Sequence, residues 1–220
     1  MSQAHTITIP IEKGALEGNL VIPDNAKNII LFAHGSGSSR LSPRNQYVSQ
    51  VLNQAGMATL LFDLLTKEEE QIEFITAEYR FDIELLTNRL LFATDWVIKN
   101  AKTRSLDIGY FGASSGAAAA LIASGLRSKN VKAIVSRGGR PDLAPVSRLK
   151  EVQAPTLLIV GGKDDTVITM NEFAFNNLLC VKKLQIIPGA THLFEEAGTL
   201  KKVADAATKW FKKYLSDSTT

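Results

Sequence analysis

The sequence predicts an α/β protein with a mostly parallel sheet of about eight strands and helices on both faces. Short β-branched segments alternate with longer segments whose apolar residues recur at the helical period, which is typical of βαβ units. The first two strand segments follow each other with no helix between them, so we expect an antiparallel start to the sheet. No repeat, linker or shift in composition indicates a second domain, and we expect one domain over residues 1–220.

The apolar patterns predict each element in turn. The strands are expected near residues 6–9, 15–22, 29–33, 58–62, 107–111, 131–135, 156–160 and 184–187. The helices are expected near residues 44–54, 83–100, 116–126, 168–179 and 200–214. The glutamate-rich segment 66–80 is predicted to be a solvated surface segment, with a lid over the sheet edge as the alternative. Residues 216–220 are expected to be a polar tail.

Composition and charge exclude several classes of protein. The 25 Lys and Arg residues against 22 Asp and Glu give a net charge of +3 without a basic cluster, which argues against nucleic-acid binding. No apolar run reaches the roughly 18 residues of a membrane span, and the first ten residues lack a signal-peptide pattern. The one cysteine, Cys180, is expected in a helical stretch and permits neither an internal disulfide nor a Cys-based zinc site. We therefore expect a cytoplasmic protein without metal or cofactor and with no membrane partner.

One pentapeptide matches a motif of nucleophilic catalysis. Gly-Ala-Ser-Ser-Gly at 112–116 follows a predicted strand and precedes a helix rich in small residues, the context that G-x-S-x-G requires. In this motif the central serine occupies a strained turn, and the glycines let the strand and helix approach each other. Ser114 is therefore the candidate nucleophile, and the amide of Ser115 is a candidate oxyanion donor at the N-terminus of the helix. The alternative is a tight glycine turn that opens a buried helix.

A serine nucleophile requires a base, and the loops after other strands offer one with a carboxylate to orient it. His192 follows the last predicted strand, and Asp164 and Asp165 follow the strand before it. Loops that follow parallel strands meet at one edge of the sheet, so these groups are expected near Ser114. Either aspartate could orient the imidazole while the other caps a helix. His192 could instead form only local hydrogen bonds. The chain order serine, aspartate, histidine is that of α/β-hydrolases.

The loop after the third strand supplies the remaining role. His-Gly-Ser-Gly at 34–37 occupies the position from which α/β-hydrolases donate a second amide to the oxyanion, and we expect that amide to be the one of Ser36. A glycine turn in which Ser36 forms a local side-chain bond is the alternative.

The whole chain resembles the dienelactone hydrolase group of α/β-hydrolase fold proteins without a cap domain. The resemblance rests on Gly-Ala-Ser-Ser-Gly at 112–116, on Gly-x-x-Asp-x-x-Val at 161–167 and on Gly-Ala-Thr-His-Leu-Phe-Glu-Glu at 189–196. It implies an α/β-hydrolase fold and favours Asp164 over Asp165 as the acid. Authentic dienelactone hydrolases use a cysteine nucleophile, whereas position 114 is serine here. The family resemblance therefore does not carry the dienelactone substrate with it.

Two arginines are candidates for substrate binding. Arg137 and Arg140 follow a predicted strand with two glycines between them, so both guanidinium groups could bind a substrate carboxylate at the same sheet edge. A salt bridge to Asp142 or exposure to solvent is the plainer interpretation.

Taken together, the sequence predicts a serine hydrolase that cleaves the ester or lactone bond of a small molecule through Ser114, His192 and Asp164. Acyl transfer, thioester cleavage and ligand binding without chemistry on the same fold are the alternatives. The sequence leaves the natural substrate and the oligomeric state open.

Overall fold

Eight β-strands form one sheet in the computed structural model, which describes residues 4–215. The strand order is β1-β2-β4-β3-β5-β6-β7-β8. The strands are β1 His5–Pro10, β2 Ala15–Val21, β3 Asn28–Ala33, β4 Ala58–Phe62, β5 Asp107–Ala113, β6 Val131–Arg137, β7 Thr156–Gly161 and β8 Lys182–Ile187. β2 pairs antiparallel with β1 and β4, and the remaining pairs are parallel. The predicted architecture, including its antiparallel start, is confirmed.

Helices cover both faces of the sheet. They are α1 Pro43–Gln54, α2 Lys67–Thr76, α3 Ile83–Lys99, α4 Ser115–Leu126, α5 Val146–Lys150, α6 Asp165–Asn177 and α7 Thr199–Tyr214, with a short 3-10 turn at Pro141–Leu143. α1 and α7 pack on one face of the sheet, and α3 to α6 pack on the other. Ile29 and Leu31 face the second layer, whereas Ile30 and Phe32 face the first, because successive strand residues point to opposite sides. The central strands are buried on both faces, which explains why their sequences are continuously apolar.

The structure adds two helices that the sequence analysis did not include. Five-residue α5 lies in a stretch without a clear apolar period, and α2 lies inside the glutamate-rich segment. α2 begins with a capping box in which Thr66 Oγ1 accepts from the amide of Glu69, and Glu69 Oε2 accepts from the amide of Thr66. This Thr-x-x-Glu pattern in the sequence is typical of the first turn of a helix.

The placement of Cys180 in a helix is wrong. α6 ends at Asn177, and the backbone at Leu178 is extended, so Cys180 lies in the connection to β8. Lys182 Nζ donates to the carbonyl groups of Phe175 and Leu178 at 2.5 and 2.7 Å. The lysine thus satisfies carbonyl groups that the end of the helix leaves unpaired.

None of the helices within residues 4–215 is both long enough and apolar enough to span a lipid bilayer. The polar tail predicted at 216–220 lies outside the described residues.

Candidate active site

The turn between β5 and α4 holds Ser114 in a strained backbone conformation. Its φ of 49° and ψ of −124° lie in a region that residues with a side chain rarely adopt. The flanking glycines explain how the turn is accommodated. A Cβ atom at Gly112 would lie 2.5 Å from Ala117 Cα, and one at Gly116 would lie 2.3 Å from the carbonyl oxygen of Ala33. Ser114 precedes the first residue of α4, yet its hydroxyl does not cap the helix and so is left available for chemistry.

A histidine and a carboxylate pair at the ends of the last two strands. His192 Nδ1 lies 2.7 Å from Asp164 Oδ2, so the ring N–H can donate to the carboxylate and leave Nε2 as the basic nitrogen. The side chain of Asp164 is mostly buried, and that of His192 is 37% exposed. Asp165 is instead exposed as the first residue of α6. Of the two aspartates left open by spacing, the structure brings Asp164 to the histidine.

The turn after β6 contacts both the serine and the histidine. The amide of Ser114 donates to the carbonyl oxygen of Arg137 at 3.4 Å, and the amide of Arg140 donates to the carbonyl oxygen of Ser114 at 3.0 Å. In the same turn, a Cβ atom at Gly138 would lie 3.1 Å from the carbonyl oxygen of His192 and 3.5 Å from its Cε1. The Ser114 turn and the His192 loop therefore both contact residues 137–140 at the end of β6.

The loop after β3 contacts the serine from the other side. A Cβ atom at Gly35 would lie 2.8 Å from Ser114 Cβ and 3.6 Å from Ser114 Oγ. The amide of Ser36, expected to be an oxyanion donor, here donates to Ser115 Oγ at 3.1 Å. Ser36 Oγ donates to the carbonyl oxygen of Arg80 at 2.6 Å and lies 2.9 Å from Ser115 Oγ, so the Ser115 hydroxyl donates to Ser36. Sequence reasoning missed this hydroxyl network because Arg80 is distant in the chain.

The two candidate arginines have different partners. Arg140 forms two hydrogen bonds with Asp142, at 2.9 and 2.8 Å, which is the plainer interpretation given above. Arg137 is buried on the α1 side, where its Nη2 donates to Asn45 Oδ1 at 3.3 Å and its Nε has no hydrogen-bond partner. Burial, and secondarily the nearby charge of Arg44, lower the pKa of Arg137 to about 10. Joint binding of one carboxylate by Arg137 and Arg140 remains a prediction, and this divergence does not favour it.

The second histidine near the site is structural. His34 follows β3, and its Nε2 accepts from the amide of Leu64 at 3.0 Å while its Nδ1 lies 2.9 Å from the carbonyl oxygen of Gly35. Burial lowers the pKa of His34 and favours the neutral ring that this pair of bonds requires. His34 thereby joins the loops that follow β3 and β4.

The glutamate-rich segment packs beside the Gly35–Ser36 loop. Glu73 on α2 is buried, and its carboxylate accepts hydrogen bonds from the amides of Tyr79 and Arg80 and from Arg80 Nε. Phe74 on the same helix is 91% exposed. The segment is thus partly solvated and partly packed, because the carbonyl oxygen of Arg80 accepts a hydrogen bond from Ser36 in that loop.

Known proteins define the class to which this fold and site belong. The family model for the dienelactone hydrolase family matches residues 16–216, and the chain belongs to that family. The chain is similar to a dienelactone hydrolase from Anabaena variabilis, whose crystal structure shares 57% identity with it. That comparison covers 97% of this chain and 99% of the other with a TM-score of 0.95. Est1E from Butyrivibrio proteoclasticus shares the fold at 17% identity, with a TM-score of 0.81 over 96% of this chain and 99% of the other.

Two longer relatives come from Mycobacterium tuberculosis strains CDC 1551 and H37Rv. Both are 54% identical to this chain over 198 residues and are provisionally named phosphoribosyl transferases. The matched region covers 90% of this chain but only 44% of those proteins, so the chain spans less than half of their length.

Proposed function

We propose that the protein is a serine esterase that cleaves the ester or lactone bond of a small molecule through an acyl-enzyme. Ser114 attacks the acyl carbon, His192 takes the proton and returns it to the leaving group, and Asp164 holds the imidazole in the required tautomer. Water then attacks the acyl-enzyme with His192 as the base. The main support is the 2.7 Å contact between His192 and Asp164 on a sheet edge that also presents the strained Ser114 turn.

The nucleophile is tested by covalent labelling. A fluorophosphonate probe is expected to modify the wild type and the surface variant Ser105→Ala but not Ser114→Ala. Hydrolysis of short acyl esters should fall at least about 10³-fold in kcat in Ser114→Ala, the scale of losses when a nucleophile is removed. Persistent labelling of Ser114→Ala would contradict the assignment. A labelled enzyme that hydrolyses no ester but acylates an added alcohol or thiol would indicate acyl transfer.

The supporting carboxylate is tested by a matched pair of neighbours. Asp164→Asn keeps the side-chain shape but favours the wrong histidine tautomer, so we expect kcat to fall by up to about 10⁴-fold. Asp165→Asn makes the same change one residue further along and is expected to retain nearly full activity. Equal losses in the two variants would assign the carboxylate elsewhere.

The oxyanion donors are proposed to be the amides of Ser36 and Ser115. The Ser115 amide is at the first position of α4, where the helix itself supplies no acceptor. The Ser36 amide has an acceptor in Ser115 Oγ, which would need to turn away as the oxyanion forms. Ser115→Ala removes this competitor and should raise kcat by up to about fivefold, the worth of one ordinary hydrogen bond. A loss of more than tenfold in kcat would mean that the hydroxyl positions the loop.

A cytoplasmic location remains part of the proposal. It is supported by the single cysteine, Cys180, which permits no internal disulfide and so suits a reducing compartment, and cell fractionation would test it.

A further inference from the structure

A cavity of about 570 Å³ opens beside the Gly35–Ser36 loop, between that loop and the α2–α3 segment. This size lies within the range of about 300 to 1,000 Å³ that is usual for small-molecule sites. Its apolar walls are formed by the loop after β4, by α2 and by α3. They consist of Leu64 and Leu65 in the loop, Phe74 on α2 and Leu86 on α3, with Tyr79 beside them. Such a wall binds hydrocarbon groups by removing them from water.

The cavity lies next to the proposed nucleophile. Gly35 and Ser36 both line it. A Cβ atom at Gly35 would lie only 3.6 Å from Ser114 Oγ, so one wall of the cavity borders the serine hydroxyl. A group attached to an ester carbonyl at Ser114 can therefore extend into this space. Phe74, which is 91% exposed, continues the apolar surface to the rim.

The charges on the cavity wall are predominantly acidic. Glu73 and Arg80 neutralise each other across a 2.8 Å ion pair, and burial lowers the pKa of His34, which favours its neutral ring. Glu70, an exposed residue, also lines the cavity, and its carboxylate forms no hydrogen bond or ion pair with any residue in the described range 4–215. Partial burial of its carboxylate and the charge of Asp63 raise the pKa of Glu70, although the charge of Arg40 acts in the opposite direction. A second carboxylate placed in the cavity would be repelled.

We propose, on the basis of the esterase function proposed above, that this cavity binds an uncharged apolar group of the ester and that Glu70 disfavours substrates with a carboxylate there. The carboxylate-binding arrangement expected for Arg137 and Arg140 predicts the opposite preference, so one experiment separates the two.

The charge preference is tested with three 4-nitrophenyl esters on the full chain. Their acyl groups are pentanoyl and two analogues of similar length that end in a carboxamide or a carboxylate. We expect kcat/KM to fall in that order, with the carboxamide at least about fivefold above the carboxylate at low salt. Glu70→Gln should narrow the carboxamide-to-carboxylate ratio about threefold. Glu68→Gln, which removes the same charge from the same helix outside this cavity, should leave the ratio unchanged.

Three outcomes of this comparison would overturn the role of Glu70: equal rates for the carboxamide and carboxylate esters, a preference for the carboxylate, or equal responses of the two glutamine variants. A carboxylate preference that Arg137→Met abolishes would support substrate binding by that arginine instead.

The location of the apolar group is tested by narrowing the cavity. Leu65 is half-buried in its wall and packs against the core, so Leu65→Trp narrows the cavity, and circular dichroism checks that the variant folds. We expect this variant to lose at least about tenfold in kcat/KM for the pentanoyl ester while the acetyl ester, too short to fill the cavity, changes little. A second series of acetate esters with short and long alcohols tests whether the alcohol group binds in the cavity instead. In that case kcat/KM of Leu65→Trp would fall for the long alcohol and not for the short one. If chain length matters in neither series, the cavity does not bind the substrate. If the wild type hydrolyses no ester and Ser114 is not labelled, the esterase proposal itself fails.

Discussion

Ser114 combines an unfavourable backbone conformation with a side chain that makes no capping bond. A positive φ at a residue with a Cβ atom costs on the order of 1 to 3 kcal/mol, and the surrounding turn holds it in place. The amide and carbonyl group of Ser114 are both bonded to the 137–140 turn, and Gly116 allows the helix to approach β3. The strain is therefore maintained by neighbours at the ends of two other strands, β3 and β6.

This strain predicts a difference in stability between two variants that both lack the proposed nucleophile. Ser114→Gly removes the Cβ atom and relieves the unfavourable φ, whereas Ser114→Ala removes only the hydroxyl. We expect the free energy of unfolding of Ser114→Gly to exceed that of Ser114→Ala by about 1 kcal/mol, measured by urea denaturation. Equal stabilities would mean that the turn is unstrained.

Arg137 is a second residue whose native environment lowers the free energy of unfolding. Its guanidinium is buried without a carboxylate partner among residues 4–215, next to the like charge of Arg44, and an amide oxygen compensates such a charge only in part. Arg137→Met should raise the free energy of unfolding by about 1 kcal/mol or more, after the loss of the bond to Asn45 is counted.

Arg140→Met is the matched control for this change. It breaks the partly exposed pair with Asp142 and should lower the free energy of unfolding by no more than about 1 kcal/mol. Thermal denaturation of both variants measures the contrast. If Arg137→Met proves less stable than the wild type, the buried charge has a partner that offsets its cost.

At the scale of elements, α2 shows what the sequence analysis captured and what it did not. The many glutamates predict a solvated surface, which holds for one face of α2, where Phe74 and Ile75 are strongly exposed. The Thr66–Glu69 capping box predicts the helix start, but nothing local predicts that Glu73 is buried. Its burial depends on Tyr79 and Arg80, which fold back onto α2 after a left-handed residue at Ala77.

This fold-back makes Glu73 the support of the loop that leads into α3. Glu73→Gln removes the charge that accepts three hydrogen bonds from Tyr79 and Arg80, so we expect a loss of about 2 kcal/mol in the free energy of unfolding. Hydrogen exchange at the amides of Tyr79 and Arg80 should also accelerate.

Glu68→Gln provides the control, because Glu68 is an exposed carboxylate on the same helix. It should change neither stability nor exchange by a comparable amount. Similar effects in both variants would reflect the net charge of the segment rather than the bonds of Glu73.

A strand boundary explains why the arginines were expected to act together. The apolar pattern predicts that β6 ends at residue 135, which places Arg137 in the loop that follows the strand. β6 instead continues to Arg137, and strand alternation then places this side chain on the α1 and α7 face with Ala133 and Val135. Arg140 lies beyond the strand and pairs with Asp142 in the following turn. The direction of a side chain near a strand end depends on register, which apolar patterns locate only to within a few residues.

At the scale of the whole molecule, the relative positions of Ser114, Asp164 and His192 were predictable because parallel strands order their loops. Each follows a different strand, and the C-terminal ends of β5, β7 and β8 lie on one edge of the sheet. The Ser36 and Ser115 hydroxyl network was not predictable, since it depends on distances of a few tenths of an ångström between loops. Parallel topology thus determines which residues meet, and the packing of the loops determines which hydrogen bonds they form.

The outermost position of β8 links the recovery of activity to the final steps of folding. β8 pairs only with β7, and His192 follows it directly, whereas Ser114 follows a central strand. During synthesis on a ribosome the proposed nucleophile therefore emerges well before the proposed base, and the proposed mechanism predicts esterase activity only after β8 has docked. Non-local parallel pairing is slow compared with helix formation. After dilution from denaturant, the return of ester hydrolysis should accordingly lag behind the return of helical circular dichroism, and the length of that lag reports how fast β8 joins the sheet.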